Sequence, residues 1–169
     1  MEQKEMIDLL RQVASGTMDV EQAALKLKEE PFEDLGFAKI DHHRAMRQGV
    51  AEVIYGEGKT PEQIFRIAEA MKEKGQKAVL ITRMNKESAI YVGEHLELQY
   101  DEVSRIGFIG EAPIKDGDGK IVVATGGTSD IPVAEEAART AETLGNEVIR
   151  LYDVGVAGVH RLLGPVSYT

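Results

Sequence analysis

Apolar residues recur at helical spacing twice near the start of the chain, first Met6, Leu9, Leu10 and Val13, then Val20, Ala23, Ala24 and Leu27. Ser15-Gly16-Thr17 separates the two runs, so the pattern predicts a helical hairpin. Asp19 and Gln22 have the spacing of a capping box, and Pro31 is placed to close the second helix. The period then shortens: Phe37-Ala38-Lys39-Ile40 and Glu52-Val53-Ile54-Tyr55 read as short strands. Thr60-Pro61-Glu62-Gln63 joins a hydroxyl cap, a proline at the first helical position and a glutamine that can answer the cap. The helix it opens presents Ile64, Ile67, Ala68 and Met71 on one face and ends at Gly75. Residues 78–82 form the next strand, 86–93 a short helix, and 96–100 and 104–109 are extended.

Asp116-Gly117-Asp118-Gly119 is a turn, and the chain changes character there, which places a boundary between an accessory domain at 1–115 and a second unit at 116–169. Ile121-Val122-Val123-Ala124-Thr125 is a continuous apolar run of the kind that forms a buried parallel strand. A turn at Gly126-Gly127-Thr128-Ser129-Asp130 leads into a helix over 131–144, ended by Gly145, and a strand over 148–152. This is a βαβ unit, whose crossover is expected to be right-handed and whose ligand crevice lies beyond the carboxyl ends of its strands. Only 17 residues follow Tyr152, too few to complete a parallel sheet with helices on both faces. Either another chain completes it or these residues belong to a longer protein; the second is the expectation adopted. The fold class is α/β: an accessory N-terminal α+β domain, then the start of a doubly wound parallel sheet.

Twenty Lys and Arg stand against 29 Asp and Glu in 169 residues, a formal charge of −9. That charge argues against nucleic acid or an anionic membrane as partner. No run approaches the roughly 20 apolar residues of a membrane span, and the first residues, Met1-Glu2-Gln3-Lys4-Glu5, are charged. Cysteine is absent, which removes disulfides, thiolate metal sites and a cysteine nucleophile from these residues and suits a cytoplasmic location.

Three segments carry candidate chemistry. Two glycines at 126 and 127 let backbone amides approach a phosphate or carboxylate at the start of the following helix. The spacing is not the dinucleotide fingerprint, and no P-loop lysine is present. Ser129 or Asp130 is either the helix cap or a ligand contact; Asp130, which repels an anion, suits a sugar hydroxyl or the orientation of a reacting group. At the end of the second strand, Asp153-Val154-Gly155-Val156-Ala157-Gly158-Val159-His160-Arg161 keeps a low backbone around an open site. His160 there can exchange protons near neutral pH, and Arg161 can pair with a carboxylate or phosphate; the alternative is a solvated helix face. Lys39 to Arg47, with His42, His43 and Arg44, is a basic island that is either an anion contact or a solvated turn. Gly56-Glu57-Gly58-Lys59-Thr60 resembles a P-loop tail only in part, and helix capping explains it better. No metal-ligand spacing is evident, so the metal ligands are unknown.

Asp34-Leu35-Gly36-Phe37-Ala38, Asp41-His42-His43-Arg44, Gly56 to Gln63, Gly127 to Ala137 and Tyr152 to Arg161 together resemble the LarB family, in family order over most of the chain. The second part of LarB proteins is similar to PurE, the aminoimidazole ribonucleotide carboxylase/mutase, which has a flavodoxin-like, Rossmann-like sheet. The resemblance implies nickel-pincer nucleotide cofactor synthesis: carboxylation of the pyridinium ring of nicotinic acid adenine dinucleotide with CO2 or bicarbonate, and hydrolysis of its phosphoanhydride. The products are pyridinium-3,5-biscarboxylic acid mononucleotide and AMP. It implies Mg2+, a homo-oligomer assembled through the PurE-like domain, and a small-molecule dinucleotide as the partner. By the same resemblance Gly126, Gly127, Thr128, Ser129 and Arg161 are substrate-binding, and His160, Asp130 and Asp153 catalytic, with His160 as proton shuttle. Family members use a cysteine thiolate that adds to the ring; this chain has none, so activity from these residues alone is not expected. Rival readings are carboxylation of aminoimidazole ribonucleotide itself and a non-catalytic nucleotide-binding module.

Overall fold

The computed structural model describes residues 3–27, 32–41, 44, 52–111, 114–115 and 117–166. Helices α1 (Gln3–Ala14) and α2 (Val20–Leu27) form the hairpin that the apolar spacing predicts. Its turn is closed by the Ser15 and Thr17 hydroxyls, which donate to the Gln12 carbonyl at 3.1 and 3.0 Å. Leu9 and Ala23 are buried, whereas Leu10 and Val20 are exposed. Asp19 caps α2 by accepting from the Glu21 amide at 3.2 Å, two residues on. This short Asx contact replaces the expected reciprocal box with Gln22. Pro31 lies outside the described residues.

Strands β1 (Phe32–Asp34) and β2 (Lys39–Asp41) pair antiparallel. The strand expected from Phe37 begins two residues later, because Gly36 takes φ 81° and the Leu35 amide closes a turn onto the Ala38 carbonyl at 2.9 Å. A four-stranded sheet follows, made of β3 (Val53–Tyr55), β4 (Ala78–Thr82), β5 (Leu98–Asp101) and β6 (Ile106–Gly110) in the order β3-β4-β6-β5. β3 and β4 are parallel, joined by α3 (Pro61–Glu73); the pairings of β6 with β4 and β5 are antiparallel. Thr60 and Gln63 form the expected capping box: the Gln63 amide donates to Thr60 Oγ1 at 3.2 Å, and the Thr60 amide to Gln63 Oε1 at 3.0 Å. Helix α4 (Lys86–Gly93) starts from an Asn85 cap. Ile64 and Met71 of α3, Val79 and Ile81 of β4, Met84, Val92 of α4 and Ile109 of β6 form a core with almost no solvent exposure. Burying each such side chain contributes about 1.5–3 kcal/mol.

Strands β7 (Lys120–Ala124) and β8 (Glu147–Leu151) are parallel, in register from Lys120 opposite Glu147 to Ala124 opposite Leu151, and α5 (Ile131–Thr143) connects them. The expected βαβ unit is therefore present, and the protein is α/β. One expectation is corrected: β7 is not buried, since Ile121 and Val122 are 41% and 52% exposed. Among the described residues β7 pairs with β8 alone, and the unit's buried apolar side chains are only Ala134 and Ala138, on α5. Ionic contacts supplement them. Arg150 of β8 reaches Glu142 at 2.6 Å and Glu135 at 3.0 Å, both on α5. Arg83, just past β4, joins the two sheets by pairing with Glu57 at 3.0 Å and with Glu136 of α5 at 3.3 Å. Among the described residues no helix is long and apolar enough to cross a membrane.

Candidate functional site

Because β7 and β8 run the same way, the turns that leave them emerge at one edge of the pair. Thr125 ties those turns together. Its amide donates to the Leu151 carbonyl at 3.0 Å, its carbonyl accepts from the Val154 amide at 2.9 Å, and its Oγ1 accepts from the Asp153 amide at 3.0 Å. Gly155 then passes so close to Gly126 that a Cβ at 155 would lie 2.3 Å from the Gly126 carbonyl oxygen. Between the turns is an open cavity of about 590 Å³, lined by Ala124, Thr125 and Gly126 from one side and by Val154, Gly155, Val156, Ala157, Arg161 and Leu162 from the other. Arg161 is the charged residue of this lining.

Asp153 holds Arg161. With φ 57° it occupies the left-handed region, uncommon for a residue with a side chain, and its Oδ2 accepts from Arg161 Nη1 at 2.5 Å. The guanidinium lies over Gly158, where a Cβ would stand 2.6 Å from Nε. Both partners are roughly half exposed, so this pair orients the arginine more than it stabilises the fold. Nearby, the Tyr152 hydroxyl donates to Glu135 at 2.8 Å, and burial followed by this bond pushes the phenol above its ordinary value.

The structure brings together part of the set that the sequence nominates. Gly126 and Arg161 line the cavity, and Asp153 adjoins it through Arg161. Gly127, Thr128, Ser129, Asp130 and His160 are not among the lining residues. Thr128–Asp130 form one exposed 3-10 turn ahead of α5, and His160 is exposed at the start of α6 (His160–Val166). At Gly127 the expectation of a free amide is corrected: that amide donates to Asp130 Oδ2 at 3.0 Å. A carboxylate three residues ahead reaches back more easily than any outside anion can enter, so the Asp130 side chain closes its own turn.

In the basic island, Lys39 pairs with Asp34 at 3.7 Å and Arg44 is exposed. His42, His43 and residues 45–47 lie outside the described residues. Among the described residues no group of three or more His, Asp or Glu side chains is placed to hold a metal ion. Sequence reasoning missed Thr125 and Arg83. The signal for Thr125 was a polar side chain ending an apolar strand; for Arg83, a neighbour only in space, there was none.

Residues 32–111, the part that holds the four-stranded sheet, match the family described as LarB/PurE-like N-terminal domain. The chain is also 32% identical over 166 residues to an uncharacterized protein of Methanocaldococcus jannaschii. That alignment takes in 94% of this chain, which spans 65% of the relative's length.

Proposed function

We propose that this chain supplies the dinucleotide-binding part of a LarB-type reaction, in which nicotinic acid adenine dinucleotide is carboxylated on its pyridinium ring and cleaved to AMP. The observation that carries the reading is the meeting of the β7 and β8 turns on one cavity with mostly apolar walls and a single guanidinium. A flat heteroaromatic ring gains by leaving water against Ala124, Val154, Val156 and Leu162, while the fork of Arg161 matches a ring carboxylate. Carboxylation replaces a ring C–H bond by a C–C bond and releases a proton, for which exposed His160, next to Arg161, is the nearby acceptor. Phosphoanhydride hydrolysis adds water across the P–O–P link. A pyridinium ring attacks CO2 only after a nucleophile has added to it. With no cysteine among the 169 residues, the role proposed for this chain is binding and positioning. Magnesium, which the family resemblance implies, finds no ready ligand set among the described residues.

Calorimetric titration with nicotinic acid adenine dinucleotide tests this reading. Saturable binding is expected, weakened about tenfold or more by Arg161→Met, the usual loss for a charge-assisted hydrogen bond. Failure of the unaltered chain to bind, or equal binding by both proteins, overturns it. Release of AMP from the dinucleotide by these residues alone, with bicarbonate and Mg2+ present, overturns the restriction to binding and positioning.

A further inference from the structure

We propose that Thr125 is a positioning residue, whose buried hydroxyl sets the turn that presents Arg161 to the cavity. The proposal rests on the reading of that cavity given above. A polar group that leaves water is costly unless it finds a partner. Thr125 is 5% exposed, and its Oγ1 accepts the Asp153 amide. The neighbouring backbone groups of Thr125 hold Leu151 and Val154, so Asp153 is fixed on both sides and at its own nitrogen.

That grip keeps Asp153 at φ 57°, a conformation an aspartate adopts at a cost, and from it the carboxylate meets Arg161 Nη1. Gly158 provides a bare surface on which the rest of the guanidinium lies. The sequence of dependence runs from the Thr125 hydroxyl to the Asp153 backbone, to the Asp153 carboxylate, to the direction in which Arg161 points. Without the hydroxyl, the Asp153 amide loses its acceptor, the turn relaxes toward an ordinary φ, and Arg161 is released.

Thr125→Val removes the acceptor at nearly constant volume, and Thr125→Ser restores it. Two readouts are needed. In protein labelled with 15N-arginine, the Nε–H signal of Arg161, assigned by its loss in Arg161→Met, is expected to be resolved in the unaltered chain and in Thr125→Ser. In Thr125→Val it should move to the position of freely solvated arginines. Affinity for nicotinic acid adenine dinucleotide should fall on the order of tenfold in Thr125→Val and be retained in Thr125→Ser. Should Thr125→Val fail to fold, Thr125→Ala carries the same test without setting a methyl group against the Asp153 amide. An unchanged Arg161 signal in a folded variant that lacks the hydroxyl overturns the proposal. If the unaltered chain does not bind the dinucleotide, the functional reading fails by itself, and the arginine signal still decides the role of Thr125.

Discussion

Gly155→Ala tests the convergence of the two turns directly. Gly155 has φ −63° and ψ 153°, which alanine adopts without strain, so the cost is steric alone. The new methyl would stand 2.3 Å from the Gly126 carbonyl oxygen, inside the 3.0 Å limit that Cβ contacts essentially never cross, and a tight 3.2 Å from its carbon. Both obstacles are backbone, and the Thr125 carbonyl bond to the Val154 amide at 2.9 Å fastens the two segments within a residue of the clash. Overpacking of this kind costs about 1–3 kcal/mol. Replacing a glycine returns about 0.4–1 kcal/mol by narrowing the unfolded ensemble. The net expectation is a loss of up to about 2.6 kcal/mol, centred a little above about 1 kcal/mol, or a fall in Tm of up to roughly 10 °C for a chain of this size. Calorimetry measures the change, and amide chemical shifts should move around Gly126, Thr125 and Val154 as well as at the substituted position. An unchanged or raised Tm, with shifts confined to residue 155, would refute the close crossing.

Two further outcomes follow from polar groups. Ser88 is fully buried and its Oγ has no hydrogen-bond partner among the described residues, so Ser88→Ala is expected to be neutral or stabilising by up to about 1 kcal/mol in urea unfolding, with a clear loss contradicting that reading. The Arg150 hydrogen bond holds Glu142 below its ordinary 4.5, and the Ser104 hydroxyl holds Asp101 below its ordinary 3.8. Depressed carboxyl values contribute stability that is complete above the ordinary values and lost as pH falls through the folded ones, so stability should decline below about pH 4.5, less steeply in Arg150→Met.

What the sequence made legible was local. The Thr60 cap, the apolar face of Ile64, Ile67, Ala68 and Met71, and the βαβ pattern of residues 120–151 depend on neighbours within a few turns, and the structure follows them. The parallel pairing of β3 with β4 was not legible, because strand direction in a sheet is settled by contacts distant in sequence. The apolar run of β7 suggested burial, yet Val122 stands half exposed, since composition reports what a strand can bury and not what covers it. In the site, Arg161 and Gly126 were readable as residue types at a strand end, whereas the Asp130 carboxylate on the Gly127 amide and the Thr125 hydroxyl on the Asp153 amide are matters of a few ångströms.

The ionic clamp of Arg150 on Glu135 and Glu142 has a consequence for how the molecule comes apart. The four-stranded region is held by a dense apolar interior, while the β7–α5–β8 region buries two alanines and leans on charge. Salt and acid weaken the second kind of cohesion far more than the first. A soft half and a hard half are therefore expected: amide hydrogens of β7 and β8 should exchange through partial openings that leave β4 and β6 closed, which sets the cavity on the side that opens first.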